Sequence, residues 1–234
     1  MEGKRTMKKS PSIILPWGKE PAQASLPQGG GQEGASLLLH ACCAPCSSAI
    51  VEWLLQHGVR PTIFYYNPNI FPIEEYNIRK EESKRHAESL GISWIDGDYD
   101  HEGWLQGVCG MEHEPERGRR CELCFTLRLT AAARKAQQLG IRYFATTLAS
   151  SRWKSLEQIE RAGLMAEKTV NLTASSVQEP SAVSVKFWAQ NWRKGGLQER
   201  RNQLLKEYGF YNQQYCGCEF SMSAKTEQTE KNDA

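Results

Sequence analysis

Apolar positions along the chain fall into short blocks divided by polar runs and glycines. Leu37-Leu38-Leu39 is an uninterrupted apolar run, the pattern of a buried strand. Ile50, Val51, Leu54 and Leu55 then recur at helical spacing within residues 46–57, and Gly58 stops the period. Thr62 to Tyr66 is β-branched and aromatic, which predicts a second strand. A polar-faced helix is predicted from Glu74 to Leu90, closed by Gly91, and a third strand from Ile92 to Ile95. Glu122 to Leu139 reads as a long helix stopped by Gly140, and Arg142 to Thr146 as a fourth strand. Residues 155–167 and 196–208 carry two further helical patterns.

Strands alternating with glycine-stopped helices predict a parallel α/β sheet covered on both faces. Such sheets bind ligands beyond the carboxyl ends of their strands. The first strand ends at His40, and Cys42 and Cys43 follow almost at once, where this architecture places an active site. Residues 1–35 are rich in Pro, Gly, Ser, Gln and Lys, with Gly29-Gly30-Gly31 near their end, and read as a disordered extension. Residues 36–222 read as a single catalytic domain, and 223–234 as a second disordered tail.

The chain has 234 residues, 40% hydrophobic and 24% charged, which is ordinary for one globular domain. A net charge of +2 does not by itself demand a nucleic-acid partner, so that reading depends on local patches. No run approaches the ~18 apolar residues of a membrane span. Lys4, Arg5, Lys8 and Lys9 imitate the start of a signal peptide, but the apolar stretch after them ends at Pro16. A cytoplasmic location and no membrane partner are therefore expected. In that reducing setting, eight cysteines point to metal or redox chemistry rather than to disulfide stapling.

The cysteines are grouped. Cys42-Cys43-Ala44-Pro45-Cys46 opens one predicted helix, and Cys121-Glu122-Leu123-Cys124 opens another. Helix N-termini present free N–H groups and the positive end of the dipole, which favour thiolates and anionic clusters. Thiolates of Cys42, Cys43, Cys121 and Cys124 would satisfy a 4Fe-4S cluster, although a structural zinc site competes with that reading. Cys46 lies one helical turn from Cys42 and Cys43, and either binds metal or merely starts the helix. Cys216-Gly217-Cys218 forms so tight a ring that a disulfide there would be strained and easily reduced, as suits a redox pair; a further pair of metal ligands is the alternative. Cys109 stands alone and reads as incidental.

At these residues the chain resembles the epoxyqueuosine reductase QueH family. The resemblance rests on Leu38-Leu39-His40-Ala41-Cys42-Cys43-Ala44-Pro45, on Tyr66-Asn67-Pro68-Asn69-Ile70 with Glu75-Tyr76, and on Arg120-Cys121-Glu122-Leu123-Cys124-Phe125 with Arg128-Leu129. Thr146-Thr147-Leu148, Ser151, Lys154 and Tyr215-Cys216-Gly217-Cys218 follow in the family's order. It implies a Rossmann-like, nucleotide-hydrolase-like core with a helical, cysteine-bearing C-terminal part. It further implies an enzyme that reduces the epoxide of epoxyqueuosine at the tRNA wobble position to queuosine. The partners would be that tRNA and an unidentified electron donor. The cofactor implied is a 4Fe-4S cluster on Cys42, Cys43, Cys121 and Cys124, with Cys216 and Cys218 as the redox-active pair. Some members hold a second iron, and Cys46 stands where some relatives carry Asp. Ser151-Arg152-Trp153-Lys154 lacks the family's proline, and Asn191 and Asn212 replace a common Asp and Arg.

Residues 186–206 hold six Lys or Arg against Glu199 alone, with Phe187, Trp188 and Trp192 interleaved. Basic groups neutralise phosphates and aromatic faces stack on unpaired bases. Arg193, Lys194, Arg200 and Arg201 are therefore candidate RNA contacts, against a plain amphipathic helix whose aromatics enter the core. Asn67 and Asn69 follow the second strand and either read the substrate or cap a turn. Arg117, Arg119 and Arg120 form a second basic cluster beside Cys121. His40 at a buried strand end is expected to be hydrogen-bonded in place rather than catalytic. Two other functions are weighed: a non-enzymatic zinc- or cluster-binding RNA module, and a tRNA thiolation enzyme. The latter would need a glycine-rich phosphate loop, which Cys42-Cys43-Ala44-Pro45 is not.

Overall fold

A computed structural model describes residues 37–176 and 183–222. The two tails expected to be disordered lie outside the described residues. Strand β1 spans Leu37–His40, helix α1 Ala44–Gln56, β2 Pro61–Tyr65, α2 Ile73–Ser89 and β3 Trp94–Asp96. Then come α3 His101–Gly107, α4 Arg119–Gln138, β4 Tyr143–Thr146, a 3-10 turn Thr147–Ser150, α5 Leu156–Ser176, β5 Lys186–Phe187 and α6 Leu197–Glu207. The strands lie in the order β3-β2-β1-β4-β5, and every pairing is parallel.

β1 is central because its sequence permits nothing else. All four of its residues are 0% exposed, so both faces of the strand are covered. Burying each leucine contributes about 1.5–3 kcal/mol. Helices α2 and α6 pack on α1, and α5 packs along α4. No described helix is long and apolar enough to cross a membrane.

The glycine stops are real and share one construction. After α1, α2 and α4, Gly58, Gly91 and Gly140 adopt φ of 72°, 61° and 69°. The residue after each glycine closes a backbone hydrogen bond to the carbonyl three residues inside the helix end: Val59 to Leu54, Ile92 to Ala87, Ile141 to Ala136. That residue is also buried against the core. This explains why β3 begins later than expected. Ile92 looks like the first residue of a strand, but it is the apolar plug of the α2 stop, and pairing starts at Trp94.

Three elements escape the periodicity. Helix α3 is a short turn whose first N–H groups are capped by Asp100, which accepts from the Gly103 N–H at 2.9 Å; only Trp104 of it is buried. Helix α5 runs nine residues beyond the expected 167, to Ser176. Lys186 and Phe187 form the two-residue edge strand β5. The sheet order turns back between β1 and β4, so loops after these two strands diverge and leave a crevice at their carboxyl ends.

Candidate active site

Thiols gather just beyond the carboxyl end of β1, where the sheet order turns back. Cys43 takes an extended backbone as the N-cap of α1, and Pro45 in the first turn presets the helix. The Sγ atoms of Cys42, Cys43 and Cys46 therefore meet at the helix N-terminus, all within 4.8 Å of one another. From the 3-10 turn after β4, the Thr147 hydroxyl accepts the Cys42 N–H at 3.2 Å and lies 3.5 Å from its sulfur. The Gln213 side-chain amide donates to Cys43 Sγ at 3.1 Å. Hydrogen bonds from Cys43 and Cys46 hold the Cys42 thiol well below its usual range. The same sharing, with burial, pushes Cys43 up and Cys46 up to about 11.

A second group lies close by. Cys121 and Cys124 stand in the first turns of α4, and the Cys121 sulfur accepts the Arg117 N–H at 3.3 Å. Cys124 and Cys218 pack into one apolar cluster with Trp104 and Val108. Burial pushes Cys121 up to about 11 and Cys218 up to about 12, with the charge of Cys216 adding to both. The Cys216-Gly217-Cys218 loop is fixed from several sides. Arg79 donates to the carbonyls of Cys216 (3.2 Å) and Tyr215 (3.3 Å), and the Phe71 N–H donates to the Gly217 carbonyl at 2.8 Å. All eight cysteines are free thiols.

Lys154 joins the two groups. Burial alone would depress its ammonium, but the charges of Cys216, Cys42 and Cys46 outweigh that and push its pKa up. Among the described residues, however, the tight set of three potential metal ligands is Cys42, Cys43 and Cys46. Cys46, left open in the sequence, joins Cys42 and Cys43 more closely than Cys121 and Cys124 do. So compact a triad suits one ion, whereas a four-iron cluster spreads its ligands over four metal atoms. Thiolates are a fitting donor set for either iron–sulfur or zinc.

Several candidate residues turn out to brace the site. His40 Nε2 donates to the Tyr66 carbonyl at 3.0 Å, and Nδ1 accepts from the Thr146 hydroxyl at 2.8 Å. Burial lowers its pKa to about 3, so the ring is neutral and ties β1 to β2 and β4. Asn67 spends its amide on the Ala41 carbonyl and its oxygen on Arg128, locking the β1 and β2 ends together. Asn69 is buried with its Oδ1 unpartnered. Arg120 is buried too, donating to the carbonyls of Met111, Glu112 and Glu114, while Arg117 and Arg119 are exposed.

The basic–aromatic stretch needs correction. It is not one helix, and Trp188 and Trp192 are buried core residues; Trp192 donates to the Thr146 carbonyl at 3.0 Å. They cannot stack on bases. Arg200 makes a bidentate pair with Glu52 at 2.8 Å and a further pair with Glu207, so two acids on other turns and helices offset the local charge. Arg193 donates to the carbonyls of Ser151 and Lys154. Arg201 bonds Asn202, and Lys194 is exposed. Gln213 carries no sequence signal and Arg79 almost none, because their roles depend on contacts far along the chain. The one hint for Arg79 was a charged residue four positions from Glu75 on the same helix.

The family model described as epoxyqueuosine reductase QueH matches residues 37–224. The epoxyqueuosine reductase QueH of Acinetobacter baylyi is 45% identical over 186 residues, 80% of this chain and 80% of that one. Its counterpart in Thermotoga maritima is 34% identical over 195 residues, 82% of this chain and 93% of that one. A solved structure of the U34-tRNA thiolase NcsA from Methanococcus maripaludis with its 4Fe-4S cluster aligns over 86% of this chain and 68% of that one. Its identity is 13% and its TM-score 0.41, too slight a likeness to carry an argument.

Proposed function

The chain belongs to the epoxyqueuosine reductase QueH family, and from that premise we propose how its thiols carry out the reaction. The enzyme is an oxidoreductase that converts epoxyqueuosine in tRNA to queuosine. Opening the epoxide to an alkene consumes two electrons and two protons and releases the oxygen as water. Oxidation of a dithiol to a disulfide supplies the same inventory, because two S–H bonds become one S–S bond.

Cys216 and Cys218 are the two-electron store in this reading. Their carbonyl anchors keep the loop placed while the sulfurs change state. Cys42, Cys43, Cys121 and Cys124 would hold a 4Fe-4S cluster, with Cys46 beside them as a ligand to a further iron. When bound, that group supplies single electrons and, at an exposed iron, Lewis acidity. Lys154 keeps its proton and offers positive charge at Nζ to the oxygen that separates from carbon. His40 is neutral and committed to two hydrogen bonds, so it is not the proton source. An unidentified donor restores the dithiol, and free thiols suit the reducing cytoplasm.

The observation that carries this reading is the meeting of the Cys42, Cys43 and Cys46 sulfurs, within 4.8 Å of one another, at the N-terminus of α1. Anaerobic purification with iron, sulfide and zinc analysis tests the cofactor. Conversion of epoxyqueuosine-containing tRNA, followed by mass spectrometry of its nucleosides, tests the reaction. A colourless protein loaded with zinc and lacking sulfide would sink the cluster.

A further inference from the structure

The tRNA-binding face suggested by the sequence is largely spent on internal contacts, and the structure offers a different one. Trp153 is 77% exposed, the highest value among the large apolar side chains that remain exposed. A single exposed apolar side chain is ordinary on a protein surface, but this indole is held in place by its neighbours. Its loop is not slack. Arg117 Nε donates to the Trp153 carbonyl at 2.9 Å and Nη2 to the Arg152 carbonyl at 3.2 Å. Arg193 holds the carbonyls on either side, at Ser151 and Lys154. The Trp153 N–H donates to the Ser151 hydroxyl at 3.3 Å. The loop is therefore pinned on both sides while its indole points outward.

The pins themselves gather charge. Arg117 and Arg193 hold carbonyls of the same loop that carries Arg152, and burial, then the charges of Arg117 and Arg152, lower the Arg193 pKa. Among the described residues no carboxylate forms an ion pair with any of them. Arg193 Nε is buried without a partner. Three guanidiniums held together without an acid make a site for an anion, and an exposed indole beside them makes a site for a flat aromatic group. A nucleotide carries both. The patch adjoins the thiols: the Arg117 N–H binds Cys121 Sγ, and Lys154 follows Trp153 directly.

We propose that Trp153 is the stacking platform for an unpaired base of the tRNA anticodon loop, with Arg117, Arg152 and Arg193 receiving the adjacent backbone phosphate. This rests on the family's reaction, which makes tRNA the substrate. Base and phosphate together set the register of the loop, so that the modified nucleotide enters the crevice rather than its neighbour. Stacking tolerates any base, so the platform contributes affinity and placement while the crevice supplies selectivity.

The test compares Trp153→Ala, Trp153→Phe and Arg152→Gln with the wild-type enzyme, using tRNA that carries epoxyqueuosine. Trp153→Ala should raise the tRNA Kd and KM about tenfold, as loss of one base–aromatic stack does. Its visible absorbance should stay at the wild-type level, because Trp153 lies outside the thiol groups. Trp153→Phe keeps a ring and should restore most of the affinity. Arg152→Gln should lower the slope of log affinity against log salt by about 1, as loss of one phosphate contact does. Wild-type affinity in Trp153→Ala overturns the proposal. So does unchanged affinity with turnover lost only when a protein reductant replaces a chemical one, which assigns the patch to the electron donor. A wild-type enzyme that leaves epoxyqueuosine unconverted contradicts the reaction instead, and the affinity comparison still decides the surface.

Discussion

Arg79 donates to the carbonyl oxygen of Cys216 at 3.2 Å across 137 positions of sequence. The same guanidinium pairs with Glu75 at 2.6 Å and lies 5.3 Å over the Tyr215 ring, and Glu75 accepts from the Tyr211 hydroxyl. One buried helix residue thus organises the segment that carries the proposed dithiol. Gly217 must be glycine here: its φ is 123°, and a Cβ would sit 3.0 Å from Ile70 and 3.1 Å from Arg79.

Arg79→Ala should be strongly destabilising. Both charged side chains are buried, and removing one leaves Glu75 without its partner at a cost of about 3–5 kcal/mol. Urea unfolding of the variant measures this. The double variant Arg79→Met with Glu75→Gln should regain much of the loss, because no unpaired charge remains; no recovery would show that the carbonyl contacts dominate.

Cys216→Ser and Cys218→Ser should keep tRNA binding and visible absorbance while losing turnover. Serine nearly preserves volume but cannot form a disulfide. Collapse of the absorbance in either variant would mean that the pair ligates metal.

Cys121→Ala should lose most of its sulfide and iron together, because a cluster deprived of one of its four thiolates is held more weakly and is lost more readily. Cys46→Ala should keep its sulfide and lose only part of its iron, if Cys46 serves a separate ion next to Cys42 and Cys43. Equal loss of sulfide in both variants would place Cys46 among the cluster ligands.

His86 should make the fold acid-sensitive. The ring is buried edge-on against Tyr208 and Phe210, and burial lowers its pKa from 6.5 to about 4. Between those values the unfolded chain binds a proton that the native ring refuses, so stability falls as pH drops from 6.5 towards 4. The contribution is about 1.4 kcal/mol per pH unit. His86→Phe should therefore reduce the loss of unfolding free energy between pH 7 and 5 by about 2 kcal/mol, measured by urea titration at both values. An unchanged difference would show that other groups set the acid limb.

Much of the architecture is written locally. β1 is legible because a triple leucine followed by glycine-stopped helices leaves few alternatives. The thiols open helices as expected, because Cys43 and Pro45 begin α1 whatever surrounds them. Ile92 shows the limit of such reading: strand starts and helix plugs demand the same residue type, and the Ala87 carbonyl decides between them.

The sequence alone determined the parallel sheet, the family, and the three cysteine clusters as candidates for chemistry, the first of them at a strand end. Grouping was beyond it. That Cys46 closes on Cys42 and Cys43, and that Arg79 holds the Cys216 loop, depend on where β1 and the C-terminal segment meet. The fate of the aromatics was decided there as well. Trp192 and Trp153 read alike among basic neighbours, yet Trp192 fills the space beneath the end of β4 while Trp153 is pinned outward by two arginines. Burial depends on which surfaces the fold brings together, and contacts between residues far apart in the chain leave no periodic mark in the sequence.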